Sequence, residues 1–454
     1  MVNQDAPQHD DNQPDPNEHS DHTDKHDDST QADDSLFELL SSEDMPPESP
    51  PRPRFSRFRR QSRPRSESRP APRPPATTVV TIQNAADRSM TFRVSGSRLF
   101  HGPRVEGWQV DFGTLNVQMN DLGRFIAMYH QQDDDAGRES WRYTAREIGG
   151  HLYQGLLNAD PMLARELMRA RRFTRPMDTL TLAFAGPRDY LSVPYELLHD
   201  RFGPLALRYP ICRQMTGVPA HTRESFWALI ARLREAGEAL RVLLVSSGAW
   251  LVAADEEIAS LETDLRASAD RANLPLEIDV VYTGSMGLDG IRAALRQPYH
   301  IIHYTGQVYH DRANDQNSGL LFGAAHEPRT GQILIPVREL VDLLPAGATR
   351  LFTISACLGP QEWDGITLSA GDHLGVMGAF VEAGIPAVLG FRWHVTNQGR
   401  QQFVQQFYER LLADPFVPEY AVLHARQVAH QRDGQDETWA SPLFVTQHLY
   451  EGES

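Results

Sequence analysis

Cysteine and lysine are the residues that this chain of 454 amino acids uses least. It has two cysteines, Cys212 and Cys357, and only one of its 44 Lys and Arg residues is a lysine. Two cysteines cannot build a disulfide framework, and no Cys-x-x-Cys pair offers the usual zinc-ligand spacing. We therefore expect no metal or other cofactor, and we expect a reducing, cytoplasmic setting.

Long hydrophobic runs are also missing from the sequence. The longest apolar stretch, residues 375–391, contains Glu382 and Pro386 and is too short to cross a bilayer. The acidic N-terminus has no apolar segment of the kind that a secretory leader needs. The formal net charge of −16 argues against a body that binds nucleic acid. We expect a protein that has no membrane partner.

The first 48 residues contain 15 acidic side chains, one lysine and no hydrophobic period. Such a segment cannot bury enough apolar surface to offset the entropy of ordering it, so we predict disorder. The run Ser-Leu-Phe-Glu-Leu-Leu at residues 35–40 is typical of a short docking motif that folds on a protein partner. A chance apolar run in a tail is the alternative.

Residues 49–75 are rich in arginine and proline. Basic side chains interleaved with two phenylalanines fit contact with nucleic acid or another anionic surface, whereas the prolines favour a stiff linker. The arginines that would make such a contact are Arg52, Arg54, Arg57, Arg59 and Arg60. We predict a disordered tail over residues 1–76, acidic first and Arg/Pro-rich afterwards, and no other contact with nucleic acid.

The pattern of a folded chain begins near residue 77. Short β-branched runs at residues 79–83 and 90–94 predict a hairpin, within a small α/β extension over 77–145 that packs on the body. Helical spacing is present at residues 115–129 and 144–157.

The body, residues 146–454, alternates strand-like and helix-like segments. The predicted strands are 179–185, 241–246, 276–282, 299–304, 349–355 and 387–391. The predicted helices are 226–240, 255–272, 287–295, 336–344, 372–383, 396–412 and 420–432. This alternation predicts an α/β three-layer sandwich with a mainly parallel central sheet.

Ligands of an open parallel sheet gather at the carboxyl ends of its strands. No glycine-rich phosphate loop follows any predicted strand, so nucleotide binding has no positive support. The most informative strand end is Ser355-Ala356-Cys357, which is followed by a loop with Gly359 and Pro360. A thiol in this place can act as a nucleophile when a base or a positive field lowers its pKa. A buried structural cysteine is the alternative.

Several sequence blocks carry a resemblance to a known family. The blocks are Tyr-His-Ile-Ile-His-Tyr-Thr-Gly at 299–306 with Ser-Gly-Leu-Leu-Phe at 318–322, Phe-Thr-Ile-Ser-Ala-Cys at 352–357, Gly-Ala-Phe-Val-Glu-Ala-Gly-Ile-Pro-Ala-Val-Leu-Gly-Phe-Arg-Trp at 378–393 with Phe407-Tyr408 after it, and Val-Pro-Tyr-Glu-Leu-Leu at 193–198. In order and spacing they resemble the CHAT domain, a caspase-like branch of the caspase/separase cysteine peptidase superfamily. The resemblance extends from about residue 145 to about residue 450.

The resemblance implies a cysteine endopeptidase fold with a His and a Cys at the ends of neighbouring strands. Cys357 matches the family's cysteine, whereas Gln307 occupies the position where the histidine is expected. A Gln amide does not titrate near neutral pH, so it can act neither as general base nor as general acid. Losing one member of a catalytic unit commonly costs several orders of magnitude in rate.

Three histidines are candidates for a relocated base. His303 precedes Gln307 on the same strand by about 13 Å at about 3.3 Å per residue, His310 follows in a loop, and His394 lies at another strand end. The alternative is that none of them is a base. Asp364 and Asp372, in the region after the cysteine, are candidates for binding a basic substrate side chain, or are a solvated loop acid and a helix N-cap.

We interpret the sequence as a CHAT-type cysteine peptidase homologue, catalytically impaired by Gln307, that binds a peptide or protein partner. The alternative is an active cysteine endopeptidase that uses Cys357 with a relocated histidine base. A third hypothesis is an adaptor that recruits partners through its N-terminal tail.

Overall fold

The computed structural model describes residues 77–84, 90–95, 104–105, 135–158, 168, 179–187, 193–218, 224–247, 252–309, 311, 317–323, 332–356, 362–363, 366–367, 373–393, 395–432 and 437–449. The predicted tail and the predicted helix at 115–129 lie outside these residues. The predicted boundaries of the tail, the extension and the body stay predictions.

Seventeen strands are present in the described part of the chain. They are β1 Thr77–Asn84, β2 Met90–Ser95, β3 Arg104–Val105, β4 Thr179–Gly186, β5 His199–Asp200, β6 Gly203–Pro204, β7 Ile211–Met215, β8 Leu240–Ser246, β9 Leu276–Tyr282, β10 Ile301–Tyr309, β11 Gly319–Gly323, β12 Gln332–Pro336, β13 Leu351–Ala356, β14 Glu362–Trp363, β15 Ile366–Thr367, β16 Ala387–Phe391 and β17 Pro442–Thr446. Eight α-helices accompany them in these residues. They are α1 Asp135–Leu152, α2 Phe226–Ala236, α3 Val252–Ala272, α4 Thr283–Leu295, α5 Val337–Leu343, α6 His373–Glu382, α7 Asn397–Leu411 and α8 Pro418–Arg432. No helix among these residues is long and apolar enough to cross a membrane.

One mostly parallel sheet organises the molecule. Its strands lie in the order β9, β8, β10, β13, β16, β17, β7, β4, β1, β2 and β3. The pairs from β9 to β16 are all parallel, as βαβ connections require, and β17 joins β16 in the antiparallel sense. Beyond the end of β8, β10 pairs with β11 in the antiparallel sense, and β11 in turn pairs with β12 in the antiparallel sense. The two-stranded pairs β5–β6 and β14–β15 stand apart from this sheet.

Helices cover both faces of the sheet and bury two apolar clusters. On one face, side chains of α1, α2, α3, α7 and α8 pack together with alternate strand residues such as Val242 and Leu244 of β8. On the other face, Leu243 and Val245 point into a cluster with α4, α5 and α6. Strands that are apolar on both sides belong between two helical layers, so the predicted three-layer α/β sandwich is confirmed.

A buried ionic group, which we call the Glu196 cluster (Glu196, Arg213, Arg392 and Arg426), holds the region around β7. Arg213 of β7 donates to both carboxylate oxygens of Glu196, and its Nη2 also donates to the Val193 carbonyl at 2.8 Å. Arg392 Nη2 donates to the same carbonyl at 3.2 Å, and Arg426 Nη1 donates to the Trp439 carbonyl at 2.7 Å. Burial would raise the pKa of Glu196, but the arginines lower it, so the carboxylate is ionised.

The predicted strands and helices of the body are confirmed, with ends shifted by a few residues. The hairpin is also confirmed, because β1 and β2 pair in the antiparallel sense with Val79 opposite Ser95. Among the strands of the main sheet, the sequence prediction missed β7, β11, β12 and β17 in the body. The segment Ile-Cys-Arg-Gln-Met of β7 has a charged centre, and that charge is tolerated inside the protein because Glu196 pairs with it.

Candidate functional site

Three hydroxyl side chains line up across the carboxyl edge of the sheet. Thr305 of β10 is opposite Ser246 of β8 on one side and opposite Ser355 of β13 on the other. All three are fully buried and face the layer of α3 and α7. Because side chains alternate along a strand, residue 307 is the next position after Thr305 on this face.

Gln307 lies inside β10, where the sequence reading ended the strand at residue 304. It is opposite Leu321 of β11 and is 6% exposed. Its backbone N–H donates to the Tyr304 hydroxyl at 3.0 Å, and that hydroxyl lies 2.7 Å from the Gln307 carbonyl and 2.5 Å from the Leu321 carbonyl. These contacts of the Tyr304 hydroxyl hold the backbone in place where β10 changes its pairing partner from β8 to β11.

Gly306 is required at this change of partner because the neighbouring chain comes very close. A Cβ atom at Gly306 would lie 2.4 Å from both the Cβ and the Oγ of Ser247. Ser247 in turn links the two partners of β10, since its N–H donates to the Thr305 carbonyl and its own carbonyl accepts from Gly323. No side chain fits between them, so the glycine of the family-like block has a packing role.

Beneath Gln307 is a closed polar group that we call the Glu257 network (Glu257, Arg400, His303, Thr305, Ser355, Thr353 and Tyr408). Glu257, on the second turn of α3, accepts hydrogen bonds from Ser355 at 2.5 Å and from Thr305 at 3.2 Å on Oε1. Its Oε2 accepts from Nε and Nη2 of Arg400, on α7, at 3.1 and 2.9 Å. All members of the network are buried.

His303 has a partner on each ring nitrogen. Nε2 is 2.9 Å from the Thr305 hydroxyl, and Nδ1 is 3.2 Å from the Tyr408 hydroxyl, which shares a 2.9 Å hydrogen bond with Thr353. Thr305 spends its single proton on Glu257, so Nε2 must carry a hydrogen and donate to Thr305. A neutral ring then accepts at Nδ1 from Tyr408, and Tyr408 accepts from Thr353.

Electrostatics agree with this assignment of protons. Burial alone would raise the pKa of Glu257, but the Arg400 charge, the neighbouring His303 ring and the hydrogen bond from Ser355 lower it to about 2. Burial lowers the pKa of His303 more than the Glu257 carboxylate raises it, so the imidazole is neutral at pH 7. The network therefore holds one negative and one positive charge, and they balance.

Among the residues named from the sequence, the structure describes Gln307 and His303. It places His303 on the same face as Gln307, but fully buried and with both ring nitrogens engaged. The other site residues lie outside the described residues, and their roles stay predictions. They are Cys357, His310, His394, Asp364 and Asp372.

The sequence reading missed Glu257, Arg400 and Tyr408 as members of the site. A signal for Glu257 exists, because it lies in helical register with the buried residues Ala254, Ile258 and Leu261 of α3. A carboxylate in an apolar stripe needs a buried partner. The identity of that partner, some 143 residues away in the chain, depends on how α7 packs.

The described residues offer two further features that bear on other kinds of site. No group of three or more His, Cys, Asp or Glu side chains in the described ranges could hold a metal ion. A groove of about 470 Å³ lies between α5 and α6 at the amino ends of β13 and β16, the end of the sheet opposite to Gln307. It shares no residue with the Glu257 network.

Comparison with known proteins identifies the family. The sequence model described as "CHAT domain" matches residues 146–447, about two thirds of the chain. The chain therefore belongs to the CHAT domain family, as the sequence blocks implied. A sequence search of curated proteins found no match.

Two solved structures are similar to this chain. The separase of Saccharomyces cerevisiae, crystallised with securin, is 11% identical with a TM-score of 0.41, over 82% of this chain and 30% of that chain. The chain thus spans about a third of the length of that separase. The Arg-specific cysteine proteinase gingipain R, known from Porphyromonas gingivalis, is 10% identical with a TM-score of 0.38, over 64% of this chain and 68% of that chain.

Proposed function

We propose that this CHAT domain protein is a catalytically impaired cysteine peptidase homologue that binds a peptide or protein partner at the carboxyl edge of its sheet. The observation that carries the proposal is the amide at Gln307, in the position where the family resemblance leads us to expect the dyad histidine. An amide neither accepts the thiol proton nor protonates the leaving amine of a peptide.

The surroundings of His303 support the same conclusion. To serve as a base for the Cys357 thiol, this imidazole would have to leave either Thr305 or Tyr408 and reach past Thr305 toward the strand end. Its lowered pKa also makes it a poor proton acceptor at neutral pH. Without a nearby base or cation, a cysteine keeps a pKa of about 8.5 and is a few per cent thiolate at pH 7.

The first test is the reactivity of Cys357 toward iodoacetamide, followed by mass spectrometry as a function of pH. We expect the rate of the parent chain to rise with a midpoint at about pH 8.5 or above. The variant Gln307→His should lower the midpoint by about one unit or more, because an imidazolium stabilises the thiolate. It should also gain peptide hydrolysis that Cys357→Ser removes. Gln297→His, an exposed position before the start of β10, is the matched control and should leave the profile unchanged.

The alternative function is an active endopeptidase with a relocated base, and the retained Cys357 is the feature that favours it. Hydrolysis of a fluorogenic peptide library by the parent chain, abolished by Cys357→Ser, would establish that alternative and refute the impaired reading. In that case, His303→Asn and His310→Asn would identify the base, since only the true base should lower the rate by orders of magnitude.

A further inference from the structure

The Glu257 network buries a charged pair where an apolar core would be expected. The side chains of Glu257 and Arg400 are each 2% exposed. A buried ion pair is often no more stabilising than apolar side chains of similar volume. Stability alone is therefore a weak reason for such a pair, and its location next to Gln307 offers a better one.

The two oxygens of Glu257 have different partners. Oε2 faces only Arg400 of α7, while Oε1 accepts from Thr305 and Ser355, the last inward-facing hydroxyls of two neighbouring strands. Thr305 precedes Gln307 by two residues, and Ser355 precedes Cys357 by two residues. One carboxylate thus connects both strands that lead to the proposed site with a single helix.

We propose that Glu257 is a positioning residue, which holds the carboxyl ends of β10 and β13 side by side, and that Arg400 balances the Glu257 charge. This inference rests on the proposed function, since it concerns the same edge of the sheet. In this arrangement the Ser355 and Thr305 hydroxyls fix the spacing of the two strands. The ion pair keeps a free charge away from the thiol of the following residues.

Removing one charge should therefore be felt by Cys357. Cys357 follows Ser355 by two residues, and chain connectivity keeps it within about 7 Å of that residue, so a single unbalanced charge in the network would lie on the order of 10 Å from the thiol. At this range, and at the effective dielectric of a partly buried site, a cation lowers a thiol pKa by about one unit. His303 and Tyr408 also face Glu257. Burial moves the pKa of His303 below its usual range and that of Tyr408 above it, so neither titrates between about pH 7 and pH 9.

The test compares two variants of the full chain by the iodoacetamide rate of Cys357 at pH 7. Glu257→Gln leaves the Arg400 charge unbalanced, and we expect alkylation about tenfold faster than in the parent. The double variant Glu257→Gln with Arg400→Gln restores neutrality, and its rate should return to within about threefold of the parent rate. Glu256→Gln, at the exposed neighbouring position of α3, is the matched control and should leave the rate unchanged. Cys212 is fully buried and burial raises its pKa, so it does not compete for the reagent.

If the alkylation rate of Cys357 returns to the parent value in the Glu257→Gln, Arg400→Gln double variant, the faster rate of Glu257→Gln is an electrostatic effect. A rate that stays high in the double variant indicates local destabilisation of the fold instead. Equal rates in the parent and in Glu257→Gln, or a double variant as fast as the single one, would refute the charge-balancing role. Ser355→Ala keeps both charges and tests the positioning role, even if Glu257→Gln does not fold. We expect amide hydrogen exchange of residues 301–309 to become several times faster in it, while exchange in β4 stays the same. Unchanged exchange at 301–309 would refute the positioning role.

The outcome is independent of the Gln307→His experiment, because every variant here keeps Gln307. If the Glu257 series behaves as expected while Gln307→His leaves the thiol unchanged, the proposed function fails and the positioning role stands. The reverse result would retain the proposed function and reject the positioning role.

Discussion

The Glu196 cluster and the Glu257 network both bury an ionised carboxylate against arginine, but they fasten different things. In the Glu196 cluster the arginines continue to backbone carbonyls, those of Val193 and Trp439. In the Glu257 network the carboxylate accepts from side-chain hydroxyls at the ends of two strands. In the Glu196 cluster, arginine side chains join loops to the sheet through backbone carbonyl groups, which neither rotate nor titrate. In the Glu257 network, side chains that can rotate or titrate lie beside the candidate site.

This difference indicates what each ion pair is for. Arginine bonds to carbonyls satisfy backbone groups that would otherwise be buried without partners, which is a structural role. Hydroxyls that donate to a carboxylate stabilise its ionised form and hold their strands in position. We expect substitutions in the Glu196 cluster to affect mainly stability, and substitutions in the Glu257 network to affect stability and thiol reactivity together.

The largest effect on stability is expected for Glu196→Gln. The substitution leaves Arg213, which is fully buried, without its carboxylate, and breaking a buried pair in this way costs about 3–5 kcal/mol. Urea unfolding followed by circular dichroism measures the loss, and Cys357 alkylation in the folded variant should stay at the parent rate. Glu238→Gln, whose partner Arg232 is half exposed, should change stability by about 0.5 kcal/mol or less. A loss no larger than that control would contradict a structural role for the cluster.

Acid should weaken the Glu257 network in a way that one variant can isolate. The folded pKa of Glu257 is about 2, against an ordinary value of 4.5, so the unfolded chain binds the proton first as the pH falls. The stability that this carboxylate contributes is complete above about pH 5 and is lost as the pH falls toward 2. Between pH 5 and pH 3, the stability advantage of the parent over Glu257→Gln should shrink by about 2 kcal/mol.

Urea unfolding at the two pH values provides this measurement, with Glu256→Gln as the exposed control. An advantage that stays constant from pH 5 to pH 3 would show that Glu257 is not held in its charged form. The corresponding comparison with Glu196→Gln then tells whether both carboxylates respond to acid in the same way.

A pair of adjacent glycines tests how closely the Glu196 cluster is packed against α1. A Cβ atom at Gly149 would lie 1.8 Å from the Leu197 carbonyl oxygen, whereas one at Gly150 would meet nothing within 4 Å. Gly149→Ala should destabilise by about 2–3 kcal/mol, because backbone must shift to admit the methyl group. Gly150→Ala should stabilise by about 0.5–1 kcal/mol, the gain of alanine over glycine in a helix. Equal thermal midpoints for the two variants would contradict this close contact.

The alternation of strands and helices, and therefore the three-layer sheet, could be read from the chain alone. Continuous apolar runs such as Val242 to Val245 make sense only between two helical layers, and each helix shows its apolar period locally. The family blocks also led us to expect a histidine where the chain has Gln307. These features are local, because a few neighbouring residues are enough to express them.

The Glu257 network could not be read in this way. Its members come from α3, β10, β13 and α7, and no short window of sequence contains a buried acid together with the arginine that neutralises it. Glu257 could be a solvated acid on a helix surface or a buried, ionised carboxylate at the centre of a hydrogen-bond network. Which of these it is depends on the side chains that the fold brings within about 3 Å, because only direct contact offsets the free energy that a carboxylate loses on desolvation. The sequence alone determined the layers and the amide at position 307, whereas only the tertiary structure decided which charged side chains lie next to them.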